Sequence, residues 1–129
     1  MSEATAAAAL AARLATLAIP TQYENAPFVP LAGQTYLAEA FLPAERQAVG
    51  LAKTDAIVGV YQVAVMAPKD GTKGPGYTTA KLVSALFPRG LRIARDGVTV
   101  TIMQCSQAPA MTMGDRWMVP VSVEFRAIV

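Results

Sequence analysis

The side chains that could do chemistry are few. Cys105 is the sole cysteine, and the chain holds no histidine to take its proton. It falls in the apolar run Val98–Cys105, where a thiol behaves as a small hydrophobe rather than as a nucleophile. One cysteine excludes an internal disulfide and fits a reducing compartment. Without histidine, Ser-His-Asp triads, histidine-ligated zinc and imidazole acid–base pairs are excluded. The carboxylates are scattered singly, with no Asp-x-Asp cluster of the kind a hard cation needs. The stretch GTKGPGYTT from Gly71 to Thr79 has the composition of a phosphate loop. It lacks the G-x-x-x-x-G-K-[ST] spacing, because Tyr77 follows Gly76, so it reads as an ordinary loop. No metal or cofactor is expected. The only catalytic alternative left is a small metal-free enzyme built on Tyr, Lys or a carboxylate.

A chain of 129 residues suits one domain, and a single domain over 1–129 is expected. Apolar residues make up 53% and charged residues 16%, the latter well below the roughly 25% of an average domain. So few charges leave part of the surface poorly solvated, which points to burial against other subunits. A plain alanine-rich globular domain is the blander alternative. The net charge of +2 is unevenly spread. Residues 1–68 hold three basic and five acidic groups, whereas residues 69–129 hold eight basic and four acidic ones. That asymmetry suits a head-to-tail assembly or a face turned toward nucleic acid. It is too mild for a dedicated DNA binder. The N-terminal apolar run lacks a basic start, carries Glu3 and is interrupted by Arg13. It reads as a cytoplasmic helix rather than a signal peptide, and it is too short to span a membrane.

Such a surface has to be positioned by elements, and the stretch Ile19–Phe41 organises them. Pro20, Pro27 and Pro30 fix their own φ and keep the preceding residues out of the helical region. An extended lead-in over 19–33 therefore follows an alanine-rich helix over 2–18, whose Leu10, Leu14 and Leu17 share one face. Gln34–Leu42 reads as a strand stopped by Pro43. Residues 43–54 read as a connection with a short helical turn over Ala44–Ala48. Asp55–Ala67 is rich in β-formers and apolar on both faces, as for a central strand covered on both sides. A loop follows, then a helix over Tyr77–Phe87, with Thr79, Leu82, Val83 and Leu86 on one face and Thr78 or Thr79 as its cap. Leu91–Ala94 and Val98–Cys105 form a hairpin about Asp96-Gly97. Residues 106–115 read as a loop, and Arg116–Val129 as the last strand, with Pro120 marking an edge or a bulge. The expected fold is α+β, in the order α-β-β-α-β-β-β. Its sheet is mixed, mainly antiparallel, has about five strands over 34–129 and is flanked by two helices.

The run IPTQYENAPFVPLAGQTYL, followed by FLP, resembles the tail terminator (tail completion) proteins of long-tailed bacteriophages. GVYQVAVMAP at Gly59–Pro68, LFPRGLRI at Leu86–Ile93 and RWMVPVSVEFR at Arg116–Arg126 are similar to the same family. Together these pieces span roughly residues 19–126. The resemblance implies a structural virion protein of phage or prophage origin, not an enzyme. Its subunits form a hexameric ring that caps the tail tube, stops its polymerisation and offers a surface to the head-side connector. It also implies a place at the head-proximal end of the tail, after assembly in the host cytoplasm. A neck or head–tail joining protein is the nearest alternative, and a non-viral binding module the next. The implied partners are other copies of the chain, the tube protein and the connector, with no membrane and at most transient contact with passing DNA. For the subunit or tube contact, the candidates are Tyr23, Glu24, Asn25 and Phe28 of the lead-in. The loop residues Lys69, Asp70 and Lys73, with Tyr77, join them. Arg89, Arg92 and Arg95 are candidates for a lumen. Each set has a plainer reading, as a brace for the lead-in, a surface loop or a solvated face.

Overall fold

The computed structural model describes residues 2–23, 34–49, 54–68, 74–114 and 116–128. Helix α1 spans Ser2–Ala15, as its run of alanines favours. Ala6, Ala9, Leu10 and Leu14 are its buried stripe, and the alanines let the helix lie close to its neighbours. Three tighter turns finish it, the last donated by Ala18 to Ala15, and Ala18 takes a left-handed φ of 56°. Regular helix thus stops three residues before the expected end.

Among the described residues there are seven strands, not five. They are β1 (Thr21–Gln22), β2 (Tyr36–Val49), β3 (Thr54–Pro68), β4 (Arg92–Arg95), β5 (Val98–Gln107), β6 (Met111–Met113) and β7 (Arg116–Ile128). The sheet order is β1-β2-β3-β7-β5-β4, with β6 also on β7. Among the described residues only the β1–β2 pairing is parallel. The two extra strands are short pieces that local sequence conceals. β1 is two residues directly after Pro20, recruited by Leu37 and Ala38 of β2. β6 lies in the expected 106–115 loop and continues the line of β5 along β7.

β2 runs on through Pro43 to Val49, where a connection with a helical turn was expected. The ladder skips from Pro43↔Gly59 to Glu45↔Val58, so a one-residue bulge accommodates the proline on a strand near the sheet's edge. Pairing with Thr54–Val58 then overrides the helical preference of this stretch. Pro120 behaves differently. It lies in β7, which is flanked by β3 on one side and by β5 and β6 on the other. Its carbonyl accepts from Ala108 N (2.9 Å), so its missing N–H faces the same side, where β5 gives way to β6. The irregularity belongs to the neighbour, and the proline stands in the middle of the sheet. The Asp96-Gly97 turn forms as expected, with positive φ at both residues (48° and 82°).

Helix α2 is Gly74–Leu86, three residues earlier at its start than the sequence indicates. Pro75, not Thr78 or Thr79, opens the first turn, where a missing N–H does no harm. Its inward line is Gly76, Ala80, Val83 and Phe87, with Leu86 partly buried and Leu82 turned outward, 51% exposed. Among the described residues both helices pack on one face of the sheet, over Tyr61, Val63, Val65, Val100, Ile102 and the odd-numbered residues of β7. Arg13 of α1 donates from Nε to the carbonyl of Leu86 (2.7 Å), fastening the last turn of α2. β3 is therefore covered by helices on one side. Its second set is half-buried at Val58, Val60, Gln62 and Ala64 and buried at its ends, Ala56 and Met66, so the two-sided cover its composition implied is found only at those ends.

A Cβ on Gly76 would lie 3.3 Å from a Val119 methyl and 3.5 Å from the Ala67 Cβ. Helix α2 seats its first turn on the sheet through that gap. Gly76→Leu is expected to lower stability by about 2–3 kcal/mol through overpacking. Gly76→Ala should stay within about 1 kcal/mol, because alanine's better helix propensity offsets the tight contact. Urea denaturation of the two variants checks the contrast.

Candidate assembly surface

The alternation of β-strand side chains gives the sheet a second face opposite the helices. Its rows follow from the register. Tyr36, Met66, Met118 and Met111 lie across one end. Ala38, Ala64 and Pro120 come next, then Ala40, Gln62, Ser122 and Ser106. Leu42, Val60, Glu124 and Gln104 follow, and then Val58, Arg126, Thr101 and Arg92. Met103 is the extra residue of a bulge in β5 beside Gln104. No described helix lies over this face, yet Leu42, Met103 and Met111 on it are 50%, 47% and 44% exposed.

Charge on this face is sparse and placed. Glu124 and Arg126 stand two residues apart on the central strand, and Arg92 lies level with Arg126 across Thr101. Arg116 is different, since only 9% of it is exposed. Its guanidinium sits 4.8 Å from the centre of the Tyr36 ring and donates to the carbonyl of Gln34. That arrangement fixes the residues entering β2 onto the end of the sheet.

The expected contact residues are dispersed. Tyr23, just after β1, is half-buried. Glu24, Asn25 and Phe28, and likewise Lys69, Asp70 and Lys73, lie outside the described residues. Tyr77 belongs to the first turns of α2 rather than to a loop. It is 36% exposed and its hydroxyl accepts from Ala110 N at 3.1 Å. β2, β3 and β7 separate Tyr23 from that contact in the strand order. Arg89, Arg92 and Arg95 are all exposed but do not form one surface. Arg89 is in the turn after α2, Arg92 is on the uncovered face, and Arg95 alternates to the other side. Leu42, Met103, Glu124 and Arg126 were not singled out from sequence. The signal available was the second alternating set of β7, Met118, Ser122, Glu124 and Arg126, which reads as a solvated side until no helix is left to cover its neighbours.

Cys105 is partly buried against the core. Burial pushes its thiol up from the ordinary value, and a hydrogen bond with Ser84 only partly opposes this. At neutral pH it stays protonated and unreactive. Among the described residues no group of three or more His, Cys, Asp or Glu could hold a metal ion. Among the described residues no helix is long and apolar enough to cross a membrane.

Comparison with known proteins agrees with the sequence resemblance. The profile of a phage tail terminator protein family matches residues 5–125. A solved structure that carries no functional name is similar at 29% identity, with a TM-score of 0.79. That match covers 98% of this chain and 96% of the other. No curated protein sequence matches.

Proposed function

The chain belongs to the phage tail terminator family, and from that premise we propose that it is the ring-forming subunit that caps the tail tube. In this reading its ring, hexameric by analogy with the family, stops tube polymerisation and presents its other side to the head connector. The observation that carries the reading is the sheet face that no described helix covers. A seven-stranded sheet sheltered by helices on one side leaves Leu42, Met103 and Met111 in water on the other. Exposed apolar side chains on a sheet face that no described helix covers support a contact with another protein there. The subunit acts as one domain, with Tyr23, Glu24, Asn25 and Phe28 at the contact between copies. Lys69, Asp70, Lys73 and Tyr77 reach a neighbour or the tube. Arg92 is the best placed of the three arginines for transient contact with passing DNA, because Arg126 stands level with it. Two or three cations hold DNA weakly at cellular salt, as passage requires. The protein would assemble in the host cytoplasm and remain at the head-proximal end of the tail.

Deleting the gene from its phage or prophage and measuring tails by electron microscopy tests this. Overlong tails of variable length without heads are expected. Tails of normal length that fail to join heads would instead assign the protein to the neck. Normal infectious particles would overturn both.

A further inference from the structure

The terminator reading does not say what covers the helix-free sheet face before a tube end is available. Between the Ala38–Ala64 row and the Val58–Arg126 row the face runs seven residues along β3, and Tyr36 and Met66 in the row beyond are already buried within the chain. At about 3.3 Å per residue, and about 4.8 Å between strands from β2 to β4, it measures roughly 23 by 20 Å. That is somewhat over half of the ~800 Å² per partner of a standard interface, the size of a weak, concentration-dependent contact. Its middle rows carry small side chains, Ala40, Ala64 and Ser122 among them, which let a second sheet approach to about 10 Å.

The charges indicate what that second sheet is. Glu124 and Arg126 point out of the same face from the same strand, one on each side of Phe125. A two-fold axis lying between two such sheets, perpendicular to β7 and level with Phe125, would set Glu124 of each copy opposite Arg126 of the other, so the two groups on one chain make two pairs across the contact. A surface carrying both halves of its own complement is self-complementary, the requirement of an isologous interface.

We propose that, away from the tail, the chain closes this face with a second copy of itself, sheet against sheet about that axis, with Glu124 of each copy against Arg126 of the partner subunit. The dimer deepens the assembly reading and rests on the same surface. It occupies the face that the ring and tube need, so it holds subunits in reserve until a tube end offers a larger contact. Assembly then begins with dissociation, and its rate falls as the dimer is strengthened.

Sedimentation equilibrium over a concentration series tests the proposal. The wild-type chain should approach twice the 13.5 kDa of one copy at micromolar concentration. Glu124→Arg and Arg126→Glu, each alone, should weaken the dimer at least tenfold, because like charges then meet twice. The double variant E124R/R126E should regain most of that loss. Leu42→Arg, at an exposed position, should also weaken the dimer while leaving the circular dichroism of the monomer unchanged. A wild-type monomer at high concentration would overturn the pairing, as would a ring-sized species or the absence of rescue in the double variant. Those outcomes leave the tail-length test untouched, so failure of this inference is distinguishable from failure of the terminator reading.

Discussion

Truncating Phe125 to alanine is expected to remove about 3–5 kcal/mol of stability, the usual range for a fully buried phenylalanine. The residue is wholly inaccessible and sits on the central strand, opposite Ile102 of β5 and Gly59 of β3. Its ring stacks on Phe41 at 5.2 Å between centroids and 24° between planes. Phe41 lies in β2, so one contact joins strands that do not pair directly. Alanine there leaves a cavity that the flanking ladders cannot collapse into, since both are fixed in register. A whole domain is stable by only about 5–15 kcal/mol, so the loss is a large fraction of the total. Thermal unfolding should show a fall in Tm of roughly 10–20 °C. Phe125→Leu should recover a good part of it, because the volume change is smaller. A shift of only a few degrees for the alanine variant would mean that the centre of the sheet repacks freely.

The second large effect is expected at Arg116. Arg116→Ala removes the guanidinium over Tyr36 and the charge-assisted bond to the Gln34 carbonyl, together about 2–3 kcal/mol. Arg116→Lys should rescue little, because an ammonium lacks the planar fork that stacks and donates at once. The position of the damage is the sharper test. Hydrogen exchange should accelerate first at the start of β2 and across the β1–β2 pairing, where Leu37 N donates to the Pro20 carbonyl. Uniform acceleration over the sheet would argue that Arg116 supports the fold as a whole rather than the entry to β2.

These two sites show what the sequence made legible. The last strand was legible from its β-formers over Arg116–Val129, and the Asp96-Gly97 turn announced its hairpin, because both signals are local. The alanine-rich helix was equally plain, down to Leu10 and Leu14. The second half of β2 was not legible, since its residues favour a helical turn and only pairing with β3 makes them a strand. Pro120 misled for a related reason. Its tolerance in the central strand depends on a break in the partner at residues 108–110, which no feature of β7 itself encodes. Arg116 appeared only as the first residue of a strand, and its value comes from Gln34 and Tyr36, some eighty residues earlier. The uncovered face was the hardest to foresee. β3 is apolar on both sides, and composition alone assigns it two layers of helix. The two described helices lie on the same face and leave the other without a described helix, and that placement is a property of the topology.

The position of β7 in the sheet also bears on how the protein is made. It stands between β3 and β5, yet among the seven strands it is the last in chain order. Between the end of β3 and the end of β7 lie about 60 residues, which a ribosome adding about 5–20 residues per second takes several seconds to supply. Throughout that interval the β2–β3 hairpin offers an open apolar edge to any other chain nearby, and the β4–β5 hairpin offers a second. Neither can be closed by the other, because the strand that separates them has not been synthesised. Until the last strand emerges, a chaperone or low local concentration would be what keeps those edges apart from other chains. A chain truncated within β7 is expected to keep both edges open and to aggregate rather than to form a weakened subunit.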